Sequence, residues 1–66
     1  MRIIIKKLLG DASVNIYNKQ GDLIHIEGFD GKVESGTYER NIPVSEAEYG
    51  HSTSLFSKVF EYKVSA

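Results

Sequence analysis

The chain contains no cysteine in its 66 residues, so disulfides and thiolate metal sites are excluded. Two histidines, His25 and His51, make a poor zinc site by themselves. No metal and no cofactor is expected. Long apolar runs are also missing. Ile3-Ile4-Ile5 stops at Lys6-Lys7, far short of a signal-peptide core or a membrane span. The absence of cysteine fits a reducing compartment, and the expectation is a cytoplasmic protein of a cell or of its host, without a membrane partner. The glycines at 10, 21, 28, 31, 36 and 50 are spread as turn punctuation and form no phosphate-cradling loop. Neither a Gly-x-Ser-x-Gly elbow nor a His-x-x-x-His pair occurs.

Size limits what remains. A chain of 7.4 kDa is one small domain, here residues 1–66, with no linker, repeat or low-complexity tract. The Met start and the lack of linkers lead to the expectation of a complete small protein. Folding hides only about 60% of the surface that such an unfolded chain exposes. Burial then barely offsets the loss of chain entropy, so tight packing or self-association must supply the rest. A homodimer is the expectation. A core this small is also expected to leave little room for the roughly 300–1,000 Å³ pocket that an enzyme needs.

The net charge is −1, unevenly placed. Residues 27–48 carry Glu27, Asp30, Glu34, Glu39, Glu46 and Glu48 against only Lys32 and Arg40, between mildly basic ends. Ordinary solvated charge explains most of this. As a functional feature, an acidic waist suits a basic protein surface better than it suits phosphates.

The strongest local pattern is Ser13 to Gly28, SVNIYNKQGDLIHIEG, which reads as two strands around a Lys19-Gln20-Gly21 loop. Gly21 takes the left-handed conformation that a bulged three-residue loop requires. That loop sets Val14 against Ile26 and Ile16 against Ile24 on a buried face. Asn15 then meets His25, and Tyr17 meets Leu23, on the other. A one-residue slip would set Ile16 against His25 and turn the aliphatic ladder outward.

Met1 to Leu9 reads as the first strand, central because isoleucines lie on both faces. Asp30-Gly31-Lys32 reads as a second hairpin loop, setting Tyr38 opposite Ile24 and Gly36 opposite Ile26. Thr37 to Val44 alternates with Tyr38, Arg40, Ile42 and Val44 on one face, and Pro43 puts this strand at an edge or marks its end. Ser45-Glu46-Ala47-Glu48 has the form of a capping box opening one turn of helix, closed by Gly50. His51-Ser52-Thr53-Ser54 reads as a polar loop. Leu55 to Val64 fits a helix through Leu55, Phe56, Val59 and Phe60, or a strand through Phe60, Tyr62 and Val64; strand is preferred for 58–64.

The fold expected is mainly β: a small antiparallel sheet or half-open SH3-like or OB-like barrel of about five strands with one short helical turn. The alternative is α+β, a four-stranded antiparallel sheet with a C-terminal helix.

Function is read from surface chemistry. His25 beside Asn15 could act as a general base, but a cross-strand polar pair explains it better. His51 on a loop preorganises nothing. A non-enzyme with no catalytic residue is expected. Small barrels bind single-stranded nucleic acid through aromatics and a basic groove, and Tyr17 could serve as a stacking platform. The acidic waist and a pI of 6.0 oppose the phosphate attraction on which such binding depends. Protein binding fits best. Tyr17, Leu23 and His25 form one candidate patch, and Glu46, Glu48, Tyr49 and His51 a second, acidic one. The function expected is a non-enzymatic protein-binding module, an inhibitor or adaptor of the kind encoded by phages and mobile elements. The alternatives are a single-stranded nucleic-acid binder and a small subunit of a larger assembly.

Overall fold

The computed structural model describes residues 1–33, 36–55 and 61–66. Six strands follow in order: β1 (Arg2–Leu8), β2 (Ala12–Asn18), β3 (Leu23–Phe29), β4 (Gly36–Asn41), β5 (Tyr49–Leu55) and β6 (Tyr62–Ser65). They form two separate three-stranded antiparallel sheets, β4-β1-β6 and β3-β2-β5. This corrects the expectation of a half-open barrel, and equally that of a single sheet with a helix. No described residue is helical. The reason lies in the connections. Among the described strands only β2 and β3 form a hairpin within one sheet; the other consecutive strands lie in different sheets.

The core lies between the two central strands. Ile3, Ile5 and Leu8 of β1 and Val14 and Ile16 of β2 are fully buried. Ala12, Phe29, Ile42 and Val44 complete the same cluster. β1 is central, as its isoleucines on both faces suggest, with Ile4 half-buried on the outer side. Its alternation survives a break at Lys7, which has a φ of 112° and lets Leu8 turn inward opposite Gly36.

The Asp30-Gly31 hairpin does not form. β4 pairs with β1, setting Tyr38 against Ile5 and Arg40 against Ile3, so neither Tyr38 nor Gly36 meets β3. The turn at 30–33 instead carries the chain between sheets. Lys32 donates its amide to Asp30 Oδ1 at 2.9 Å, and Gly31 donates to Asp11 Oδ1 at 3.1 Å. Gly31 lies so close to Gly10 that a Cβ would come within 2.4 Å of its Cα. The turn is pinned against the β1–β2 connection, and the chain leaves it for the other sheet.

Ser45 to Glu48 makes a hydrogen-bonded turn, not a helix. Its capping groups do close on each other: Glu48 N donates to Ser45 Oγ at 3.2 Å, and Ser45 N donates to Glu48 Oε1 at 3.1 Å. The chain then enters β5 at once, which overrides helix growth. Thus 51–54, expected as loop, is strand. It holds through its ladder to β2 and through Ser52, whose Oγ shares a 3.1 Å hydrogen bond with the Tyr62 hydroxyl. Of the last segment, 62–65 is strand, while 56–60 falls outside the described residues.

The hairpin that places the candidate site keeps its expected loop and loses its expected register. Asn18 N donates to Asp22 O at 2.9 Å around Lys19-Gln20-Gly21, and Gly21 has a φ of 89°. Tyr17 pairs with Leu23. A bulge then absorbs Ile24, and the remaining pairs are Ile16–His25, Asn15–Ile26 and Val14–Glu27. The pairs Ile16–Ile24, Val14–Ile26 and Asn15–His25 do not occur. One extra residue flips the rest of β3, as period-two geometry requires. Ile24 is left 36% exposed and Ile26 57%.

Candidate functional site

The flipped strand sends two polar side chains inward, and they are accommodated there. His25 Nε2 lies 2.6 Å from Glu27 Oε1, and Arg40 of β4 donates to Glu27 Oε2 at 3.0 Å. Arg40 also donates to the Gly28 carbonyl at 2.6 Å and stacks with its guanidinium carbon 4.7 Å from the centre of the Phe29 ring. Phe29 in turn meets Tyr38 edge-on at 5.8 Å. Burial, aided by the Glu27 charge, pushes the Tyr38 hydroxyl up to about 12, so it stays protonated. The inner face of β3 is thus closed by a paired set of charges joining the two sheets' edges. His25 belongs to this set and not to an exposed patch.

The consequence appears on the other side of β3-β2-β5. Tyr17 of β2 and His51 of β5 pair across the ladder, and their rings stack at 4.6 Å, only 7° from parallel. Thr53 Oγ1 donates to the Tyr17 hydroxyl at 3.5 Å. Leu23 and Leu55, both 49% exposed, stand at the two ends, with Ile26 beside Asn15 in the middle. Asn15 itself is only 9% exposed, although it lies on an outer face, and its Oδ1 is buried without a hydrogen-bond partner. A covered polar centre flanked by exposed Leu23, Ile26 and Leu55 results.

The outer face of the other sheet is different. Arg2 pairs with Glu39 at 3.2 Å and Lys6 with Glu61 at 3.6 Å, around a half-buried Ile4. That face is laced with charge and has no exposed aliphatic cluster among the described residues. The asymmetry singles out β3-β2-β5 as the candidate binding face.

Of the residues expected to bind a partner, Tyr17, Leu23 and His51 are brought together on this face. His25 turns inward. So does Tyr49, which packs half-buried against the core because a bulge at Gly50 puts it and His51 on opposite sides of β5. A Cβ at Gly50 would come within 2.2 Å of the Asn18 carbonyl oxygen, so only glycine makes that bulge. Glu46 and Glu48 stand on the turn before β5. Hydrogen bonds from the Ser45 side chain and backbone hold the Glu48 carboxyl below its ordinary value. The two patches expected from the sequence therefore do not exist as drawn. Asn15, Ile24, Ile26, Thr53 and Leu55 join the face instead, and the alternation that suggested a buried aliphatic ladder concealed them.

Comparison with known proteins gives no shortcut. No family model, no curated protein and no solved structure matches this chain. Function is read from the geometry alone.

No three His, Asp or Glu side chains among the described residues are grouped to hold a metal. A shallow, open depression of about 650 Å³ lies beside Asp11, Ser13, Phe29, Asp30 and Val33. No histidine lines it. No described helix is long and apolar enough to cross a membrane.

Proposed function

We propose that this chain is a non-enzymatic protein-binding module that seats its partner on the outer face of β3-β2-β5. The observation that carries the reading is the half-buried Tyr17 stacked on exposed His51, with exposed Leu23, Ile26 and Leu55 beside it, around the buried Asn15. A stacked aromatic pair beside aliphatic side chains has the chemistry of an interface centre. An inhibitor or adaptor role fits such a face. Mimicry of phosphates by carboxylates is the less supported version, because Glu27, Glu39, Glu48 and Glu61 each bind a group within the chain.

The Tyr17–His51 stack is the one feature that favours single-stranded nucleic acid, since every base offers a π-face. Against it, Arg2, Lys6 and Arg40 are each paired with a carboxylate, which lowers the phosphate attraction available. The test measures binding of wild type, Tyr17→Glu and Leu55→Asp to a labelled oligonucleotide and to the host protein that wild type captures. The reading expects weak, sequence-blind oligonucleotide binding. It also expects a purified complex weakened about thirtyfold or more by either substitution. Tight oligonucleotide binding that falls steeply with salt and with Tyr17→Glu overturns it in favour of the nucleic-acid reading.

A further inference from the structure

The backbone on the open side of β3 carries an inference separate from its side-chain face. β3 has no strand neighbour beyond it among the described residues. Asn18 N donates to Asp22 O, so the even-numbered residues of β2 turn their amides toward β3. Ile16–His25 and Val14–Glu27 are then the hydrogen-bonded pairs, and Ile26 and Gly28 point their N–H and C=O groups outward. The Gly28 carbonyl agrees, since it meets Arg40 from the other sheet.

The other edges are guarded. β4 carries Glu39 and Arg40 and runs into Pro43, β6 is four residues long with Lys63 in it, and β5 is largely polar. β3 is seven residues long, with Leu23, Ile24 and Ile26 exposed and no lysine, arginine or proline. Its guards are the bulge at Ile24, the inward charge of Glu27 and the Arg40 guanidinium on the Gly28 carbonyl.

We propose that β3 pairs antiparallel with β3 of a second copy, about a two-fold axis at Ile26, to make one continuous six-stranded sheet. Side-chain pairing selects that register. With Ile26 opposite itself, His25 of each copy faces Glu27 of the other, and both amide–carbonyl bonds between the two Ile26 residues form. An axis at Glu27 sets the two carboxylates against each other, and an axis at His25 sets the two imidazoles together. Only the Ile26 register is complementary, and it leaves Glu27 bonded to its own Arg40. The aromatic face stays open and is doubled in area. The proposal stands independently of what that face binds.

Ile26→Lys and Ile26→Cys, made in the full chain, test it. Opposed residues in a hydrogen-bonded pair have Cα atoms about 5.5 Å apart, within disulfide reach, and the chain has no other cysteine. Sedimentation equilibrium is expected to give twice the chain mass for wild type. Oxidised Ile26→Cys is expected to cross-link fully, and a Lys32→Cys control is not. Ile26→Lys keeps the wild-type circular dichroism and dimerises at least about tenfold more weakly. A wild-type mass of one chain at 100 μM is the overturning result. So is a dimer that Ile26→Lys leaves intact but Leu55→Asp dissolves, which places the second copy on the outer face.

Discussion

Arg40, on the edge of one sheet, donates to Glu27 on the edge of the other at 3.0 Å, with side chains only 26% and 18% exposed. Two sheets with a small shared core gain a latch on one side. The latch also decides which way β3 faces, because it gives the inward carboxylate a partner. Arg40→Met should therefore cost about 2 kcal/mol, since Glu27 is left under cover without its cation. Glu27→Leu combined with Arg40→Met should recover at least half of that loss. Urea denaturation midpoints of the two singles and the double check it; strictly additive losses contradict a coupled pair.

Two glycines of the β3-β2-β5 sheet make opposite predictions. Gly50→Ala drives a Cβ to 2.2 Å from the Asn18 carbonyl oxygen, a backbone atom with nowhere to go. It should destabilise by about 3 kcal/mol or more and uncouple the Tyr17–His51 stack. Gly28→Ala meets nothing within 4 Å and should stay within about 0.5 kcal/mol. Thermal unfolding separates them: Gly50→Ala lowers the midpoint by many degrees and Gly28→Ala by few.

The Ser45–Glu48 turn should respond to acid. Ser45 holds the Glu48 carboxyl below its ordinary value of 4.5, so the folded chain binds that proton less readily than the unfolded one. The turn's stabilisation is fully present above pH 4.5 and is lost as pH falls through the lower folded value. A carboxyl-carbon NMR titration should show Glu48 with a midpoint below 4.5, and Ser45→Ala should return it toward that value. An unchanged midpoint in Ser45→Ala contradicts the assignment.

How much of this was legible in the sequence depends on whether a signal is local. Three β-branched residues in a row mark β1, and Gly21 marks a three-residue loop, because both act on the chain beside them. The Tyr17–Leu23 pair was readable for the same reason: it lies before the bulge. Beyond Ile24 the reading inverted. Ile24 and Ile26 alternate with His25 and Glu27, and binary patterning puts the isoleucines inside. The reversal comes from Arg40, which reaches this strand from the opposite sheet. β5 was illegible for another reason. Its Ser-Thr-Ser run has no apolar alternation, and the free side of β2 makes it a strand. With β5 read as loop, the meeting of His51 with Tyr17 could not be seen, nor could the face they share.

The account depends on the bulge that turns β3 over, and nuclear Overhauser contacts between backbone α-protons report it directly. Non-hydrogen-bonded antiparallel partners hold these protons close, with Cα atoms about 4.5 Å apart. The predicted result is a strong contact between Asn15 and Ile26, beside another between Ser13 and Gly28. A strong contact between Asn15 and His25 would restore the unbulged ladder, bury Ile24 and Ile26, and remove the binding face.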